Sequence, residues 1–312
     1  MLSIILPSYN EEKMIPIAAK RLGEILTPES IDYELVFVDD GSRDSTWQQI
    51  QSVSAADAHV VGVHFSRNFG KEAAMFAGLE EAKGDCCVVI DCDLQHPPEK
   101  IVEMYRLWEQ GYEVVQTIRK TTEGVSAMKK LTSYYYYKVL NKLSNVHIQE
   151  GGSDFRLMDR VVVKAFRRYR EHARFIRGMI GAMGFRQVQI EFVAPKRFAG
   201  VSKFSPRKML NFAIDGVLAY SNLPLRLGLY IGTISGIISL LLIIHVFVSK
   251  YVLDDAVAGW ATLTALVLFF GGMQMIVLGI LGEYLGRVFE EVKHRPLYLI
   301  ARGKPKDEMD RD

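Results

Sequence analysis

The sequence predicts a mostly parallel, Rossmann-like α/β sheet covered by helices, followed by an interfacial helix and a two-helix transmembrane hairpin. Three observations predict this architecture. Short runs rich in Ile, Val and Leu alternate with longer helical patterns up to about Pro195. Two later runs contain no Asp, Glu, Lys or Arg, and a basic amphipathic stretch stands just before the first of them.

The strand-like runs are Leu2–Leu6, Tyr33–Val38, Val60–Phe65, Cys86–Ile90 and Glu113–Thr117. Helical patterns separate them at Glu11–Leu26, Ser45–Ala55 and Lys71–Lys83. Strands that are apolar on both faces and alternate with helices fit a parallel sheet covered on each side. Ligands on such sheets bind beyond the carboxyl ends of the strands, so the residues just after each run matter most.

The uncharged runs are Leu227–Ser249 and Ala256–Gly282. As helices they would reach roughly 35–40 Å, enough to cross a hydrocarbon core of ~30 Å. Lys203, Arg207, Lys208 and Arg226 precede the first run, and Arg287, Lys293, Arg295 and Arg302 follow the second. The intervening loop, Lys250–Asp255, holds a single Lys beside Asp254 and Asp255. That asymmetry predicts both termini cytoplasmic with a short loop outside, and the expected location is the inner (cytoplasmic) membrane, crossed more than once. Ser205–Ser221 reads as a Ser cap, a Pro at the first helical position and apolar residues at helical spacing, which suits a helix lying on the bilayer or an ordinary packing helix. The expected organisation is a cytoplasmic domain over 1–204, a juxtamembrane helix over 205–224, a membrane region over 225–288 with spans at about 227–249 and 257–282, and a cytoplasmic tail over 289–312.

The bulk composition excludes several function classes. Hydrophobic residues make up 49% of the 312, which supports a packed core, and a net charge of +2 gives no case for a nucleic-acid partner. Cys86, Cys87 and Cys92 form neither a disulfide framework nor a spaced zinc site, as expected in a reducing compartment. The opening residues, MLSIILPSYNEE, are too short in apolar length and lack the basic leader of a signal peptide.

Three strand exits are strongly polar: Pro7-Ser8-Tyr9-Asn10-Glu11, Asp39-Asp40-Gly41-Ser42, and Asp91-Cys92-Asp93-Leu94-Gln95-His96-Pro97-Pro98. Taken singly, each is equally well explained by helix capping. Asp91 and Asp93 form the sharpest pair, because residues two apart in an extended segment face the same side. Two carboxylates ~5 Å apart repel by roughly 3 kcal/mol at an effective dielectric near 20. A divalent cation removes that cost, and hard oxygen ligands suit Mg²⁺ or Mn²⁺ bridging a diphosphate. Cys92 should point the opposite way.

The ordered set of motifs carries a resemblance. To the three exits it adds Ser66-Arg67-Asn68-Phe69-Gly70-Lys71, Asp154-Phe155-Arg156-Leu157-Met158-Asp159-Arg160 and Gly282-Glu283-Tyr284-Leu285-Gly286-Arg287. With the hairpin, they resemble the inverting family-two glycosyltransferases of the GT-A fold, specifically the polyprenyl-phosphate glycosyltransferases with two C-terminal transmembrane helices. The chain is similar to the bactoprenol glucosyltransferase and dolichol-phosphate-mannose synthase group.

The resemblance implies a UDP-sugar donor, glucose or N-acetylglucosamine ahead of GDP-mannose, and a polyprenyl (undecaprenyl) phosphate acceptor at the bilayer. The oligomeric state stays open, a homo-oligomer included. Pro7, Tyr9, Glu11 and Asp40 would line the nucleotide pocket, with Asp39 or Asp40 reading the base edge. Asp91 and Asp93 would hold the metal and diphosphate beside Gln95, and Lys71 would neighbour the donor. Asp154, after a Gly-Gly-Ser stretch expected to be a flexible loop, is a candidate base or acceptor-positioning group. Arg119, Arg156, Arg197 and Lys203 are the candidate partners of the lipid phosphate. Tyr134–Tyr137 is read as packing or membrane-surface contact. A processive polysaccharide synthase would carry Q-x-x-R-W, but none of Trp47, Trp108 and Trp260 follows an Arg. An inactive scaffold is disfavoured by the intact Asp91 and Asp93.

Overall fold

The computed structural model describes residues 1–119, 152–169, 176–193, 223–251 and 259–301. Arg197, Lys203, the stretch 205–221, the inter-span loop 252–258 and Tyr134–Tyr137 lie outside the described residues. The chain divides into two compact units, one built on a sheet and including the segment from Pro296, the other containing two long helices.

The sheet unit follows the expected alternation. The order is β1 (Leu2–Ser8), α1 (Met14–Leu26), β2 (Tyr33–Asp39), α2 (Thr46–Ala56), β3 (Val60–His64), α3 (Lys71–Glu81), β4 (Cys86–Val89), α4 (Lys100–Glu109), β5 (Val114–Arg119), β6 (Gly152–Asp159), α5 (Arg160–Arg167), α6 (Ile176–Ala182) and β7 (Gln187–Phe192). Seven strands form one sheet in the order β3-β2-β1-β4-β6-β5-β7. β1 runs parallel to β2 and β4, β2 to β3, and β5 to β7.

β6 is the exception, antiparallel to both β4 and β5. Here the structure differs from the sequence expectation, because Gly152 and Ser153 belong to this strand rather than to a flexible loop. The reversal decides the geometry of the site. Cys86 pairs with Asp159 and Val89 with Arg156, so the first residues of β6 arrive at the carboxyl end of β4.

Alternation along the strands builds two cores. Leu35 and Phe37 of β2 join Leu2, Ile4 and Leu6 of β1 in one cluster with residues of α1 and α4. Val36 and Val38 turn the other way and pack with Val63, Phe65 and the Ala74–Ala77 face of α3. α3 sits so close that a Cβ on Gly78 would stand 2.3 Å from Ile5 Cγ2. All seven residues of β2 are buried, as two covered faces require.

The second unit contains α7 (Leu223–Tyr251) and α8 (Trp260–Val292). Both are long and apolar enough to cross a membrane by length and composition, and almost none of either apolar window is buried in the molecule, unlike the core helix of a soluble protein. α8 continues beyond the expected end of its span at Gly282 as far as Val292.

Candidate active site

The exits of β1, β2 and β4 converge on a cleft of about 300 Å³. Pro7, Ser8, Tyr9 and Glu11 line it from β1, Asp40 from β2, and Asp91, Cys92 and Asp93 from β4. Asn68, Gly70, Lys71 and Ala74, from the start of α3 and the loop before it, complete the wall.

The first two exits are laced to each other. Asn10 adopts a left-handed backbone with φ 56°, which Asn tolerates better than most residues. Its backbone N–H donates to Ser42 Oγ at 2.8 Å, and its side-chain oxygen accepts from the Arg43 N–H at 2.9 Å. Glu11 N–H donates to Thr46 Oγ1 at 2.8 Å. Gly41, at φ 63°, could not carry a side chain, because its Cβ would lie 2.3 Å from the Arg67 carbonyl carbon.

The two aspartates after β2 separate in role. Asp39 is fully buried behind the cleft, where its carboxylate accepts from the Ser42 N–H at 3.1 Å and meets His64 Nδ1 at 2.7 Å. Asp40 faces the cleft and accepts from the N–H groups of Phe69 at 2.6 Å and Gly70 at 3.0 Å. Burial pushes the Asp40 carboxyl above its ordinary value, against the lowering effect of those two bonds. Asp40 thus fixes the loop that delivers Lys71.

Asp91 and Asp93 both line the cleft, although not on an extended segment as the sequence suggested. Cys92 and Asp93 lie in a turn closed by the Leu94 N–H donating to Asp91 O at 3.2 Å. Leu94 is left-handed, with φ 54°, a conformation that costs a residue with a side chain about 1–2 kcal/mol. Cys92 is almost wholly buried and belongs to the sheet core, and burial pushes its thiol up to about 12. A neutral, core-packed thiol is no metal ligand. Two cleft-facing carboxylates do fit a hard cation such as Mg²⁺, which takes its other ligands from phosphate and water. Among the described residues, no group of three or more His, Cys, Asp or Glu could hold a metal unaided.

Lys71 joins this pair to β6. Its ammonium stands 2.5 Å from Asp91 Oδ1 and 3.4 Å from Asp154 Oδ2. Burial opposes the charge, but Asp91 and Asp154 together outweigh it and hold the lysine above its ordinary value. Arg156 is buried on β6, donates to Ser153 O at 2.8 Å and stands 3.9 Å from Asp154 Oδ1. The Gln95 N–H donates to Asp93 Oδ1 at 3.1 Å. Arg119 occupies the last position of β5.

The sequence reasoning assigned no role to His96, yet the structure places it beneath the site. It stacks on Phe155 with centroids 5.1 Å apart, and burial holds its ring below the ordinary imidazole value despite Asp91. Nδ1 accepts from the Asp91 N–H at 3.4 Å, so the neutral ring carries its proton on Nε2, which donates to Ser153 Oγ at 2.9 Å. His96 therefore ties the Asp91 turn to the start of β6. Its place within the polar exit after β4 was the available signal.

Comparison with known proteins identifies the family. Residues 3–167 match the sequence model of glycosyl transferase family 2. An uncharacterized glycosyltransferase, sll0501 of Synechocystis, is 42% identical over 96% of this chain and 94% of its own. The bactoprenol glucosyl transferase of Shigella phage SfV is 38% identical over 98% of this chain and 99% of its own. Among solved structures, glucosyl-3-phosphoglycerate synthase from Mycobacterium tuberculosis aligns at TM-score 0.44 and 19% identity, covering 70% of this chain and 79% of its own. Matched by the family model over half its length and by relatives over nearly all of it, the chain belongs to glycosyl transferase family 2.

Proposed function

We propose that the protein transfers a sugar, glucose before N-acetylglucosamine, from a UDP-sugar to a polyprenyl phosphate at the cytoplasmic face of the membrane. The observation that carries the reading is the convergence of Asp40, Lys71, Asp91 and Asp93 on one cleft, with Asp154 brought to its edge by the reversed strand β6. The relative named as a bactoprenol glucosyl transferase supports the acceptor class, and two helices long and apolar enough to span a bilayer support association with a membrane.

In this reading Pro7, Tyr9, Glu11 and Asp40 hold the nucleotide, with Asp39 bracing the loop behind them. Asp91 and Asp93, with Gln95 supporting the turn, would hold Mg²⁺ or Mn²⁺, which neutralises charge on the departing diphosphate when bound. Lys71 supplies a further cation beside the diphosphate. The acceptor phosphate oxygen attacks the anomeric carbon as the bond from that carbon to the diphosphate oxygen breaks. UDP departs with the electron pair, and the configuration inverts. A phosphate monoester is already largely deprotonated at pH 7, since its second pKa is about 6. Asp154 therefore positions the acceptor through Lys71 and Arg156 more than it removes a proton. Arg119, Arg197 and Lys203 are proposed as further partners of the lipid phosphate.

The test is to supply membranes containing the protein with a panel of labelled sugar nucleotides and extract the lipids. Label from UDP-glucose or UDP-N-acetylglucosamine should enter an organic-extractable, mild-acid-labile lipid. Label that enters only protein or polymer overturns the acceptor assignment.

A further inference from the structure

Beyond α8 the chain returns to the sheet unit. Ile300 bridges antiparallel to Phe65, which immediately follows β3. The Ser66 N–H donates to Leu299 O at 2.9 Å, and the Ala301 N–H donates to His64 O at 2.7 Å. β3 is an edge strand, so this pairing occupies backbone groups that an open edge would expose.

Tyr298 adds side-chain contacts to that pairing. Its ring stacks on Phe65, with centroids 4.8 Å apart and planes 16° from parallel. Its hydroxyl hydrogen-bonds the carboxylate of Glu80 on α3. The ring also packs against the cluster between the sheet and α3, to which Phe65, Ala74 and Ala77 belong. One side chain therefore holds both the end of β3 and the body of α3.

Between those two grips runs the loop that walls the cleft. Phe65 meets Phe69 edge-on at 5.7 Å. The N–H groups of Phe69 and Gly70 bond Asp40, and Gly70, Lys71 and Ala74 line the cleft. A shift of Phe65 or of α3 would thus be felt at Lys71, whose ammonium sits 2.5 Å from Asp91.

We infer that Tyr298 is a positioning residue for the donor cleft, setting the place of Gly70 and Lys71 through Phe65 and α3. The inference rests on the reading of the cleft as a sugar-nucleotide site. It assigns a role in donor binding to a residue more than two hundred positions from the loop it braces, in a segment expected from the sequence to be a plain tail.

The experiment uses the full chain in lipid nanodiscs, with UDP affinity measured by calorimetry and initial rates measured against UDP-glucose. Tyr298→Ala should raise the UDP Kd and the donor KM together by about twofold to tenfold, the range set by losing one aromatic stack, while kcat falls less than KM rises. Tyr298→Phe keeps the stack and should restore most of the donor affinity. Leu299→Ala, whose side chain is exposed, should behave as wild type. If Tyr298→Ala folds poorly, Tyr298→Leu keeps apolar volume without the stack and should show the same split between KM and kcat. Unchanged UDP affinity and donor KM in these variants, with or without a lowered melting temperature, overturn the inference. Wild-type protein that binds no UDP overturns the donor reading itself, and the inference with it.

Discussion

Lys71→Met removes the ammonium that stands 2.5 Å from Asp91 Oδ1 and 3.4 Å from Asp154 Oδ2. At the shorter distance the gross attraction is ~7 kcal/mol for an effective dielectric of about 20, and ~1.7 kcal/mol for bulk water. The lysine side chain is 42% exposed and that of Asp91 30%, so solvent screening brings the net value down to about 1 kcal/mol. A cation that takes Asp91 Oδ1 competes with this ammonium for the same oxygen. The substitution should therefore tighten Mn²⁺ binding to the nucleotide-free protein by about fivefold. Transfer should fall at the same time, because the donor diphosphate loses a cationic neighbour. Electron paramagnetic resonance titration of free Mn²⁺ gives the affinity, and lipid-linked product gives the rate. Mn²⁺ affinity that is unchanged or weaker in Lys71→Met would refute the competition between ammonium and metal.

Asp93→Asn should abolish most transfer with the melting temperature preserved, and chelation should do the same to wild type, reversed by Mg²⁺ or Mn²⁺; full activity in chelator removes the metal from the account. Gly41→Ala meets both a left-handed backbone and the Arg67 main chain, and should cost about 2–4 kcal/mol in denaturant unfolding. Asp44 accepts from the Thr46 hydroxyl and N–H and from the Glu12 N–H. Burial pushes its carboxyl up, but these bonds outweigh it and hold the group below 3.8. Its contribution is then complete above that value and lost as pH falls through the depressed one. Asp44→Asn should accordingly lower stability at pH 7, with the gap to wild type closing below about pH 4 in urea titrations.

The parts of the fold legible in the sequence are those decided locally. β1 to β5 were readable because runs such as Tyr33–Asp39 are buried on both faces and separated by helical patterns. β6 was not readable, because its start looks like a Gly-Ser loop and its pairing with Cys86–Val89 spans a long stretch of chain. Reversed direction is a property of the partner strands, and no local periodicity records it. The same holds for the pairing of Ile300 with Phe65.

The site divides along the same line. Tyr9, Glu11, Asp40, Asp91 and Asp93 line one cleft and were singled out by reading strand exits, a rule that needs only the strand ends. The extended geometry expected for Asp91 and Asp93 gave way to a turn, because Leu94 takes a left-handed backbone that its residue type does not announce. Asp39 looked equivalent to Asp40 in sequence, and burial against His64 separated them. His96 and Tyr298 act through tertiary neighbours, Ser153 and Phe65, that the sequence alone does not bring together.

The most direct test of the central claim is a transfer assay with the purified full chain, undecaprenyl phosphate and labelled UDP-glucose, run beside Asp93→Asn. The account predicts a glucosyl phospholipid whose anomeric configuration is inverted relative to the donor, together with its loss in the variant. Retained configuration, or hydrolysis of UDP-glucose with no lipid product under conditions where the protein binds UDP, would contradict it.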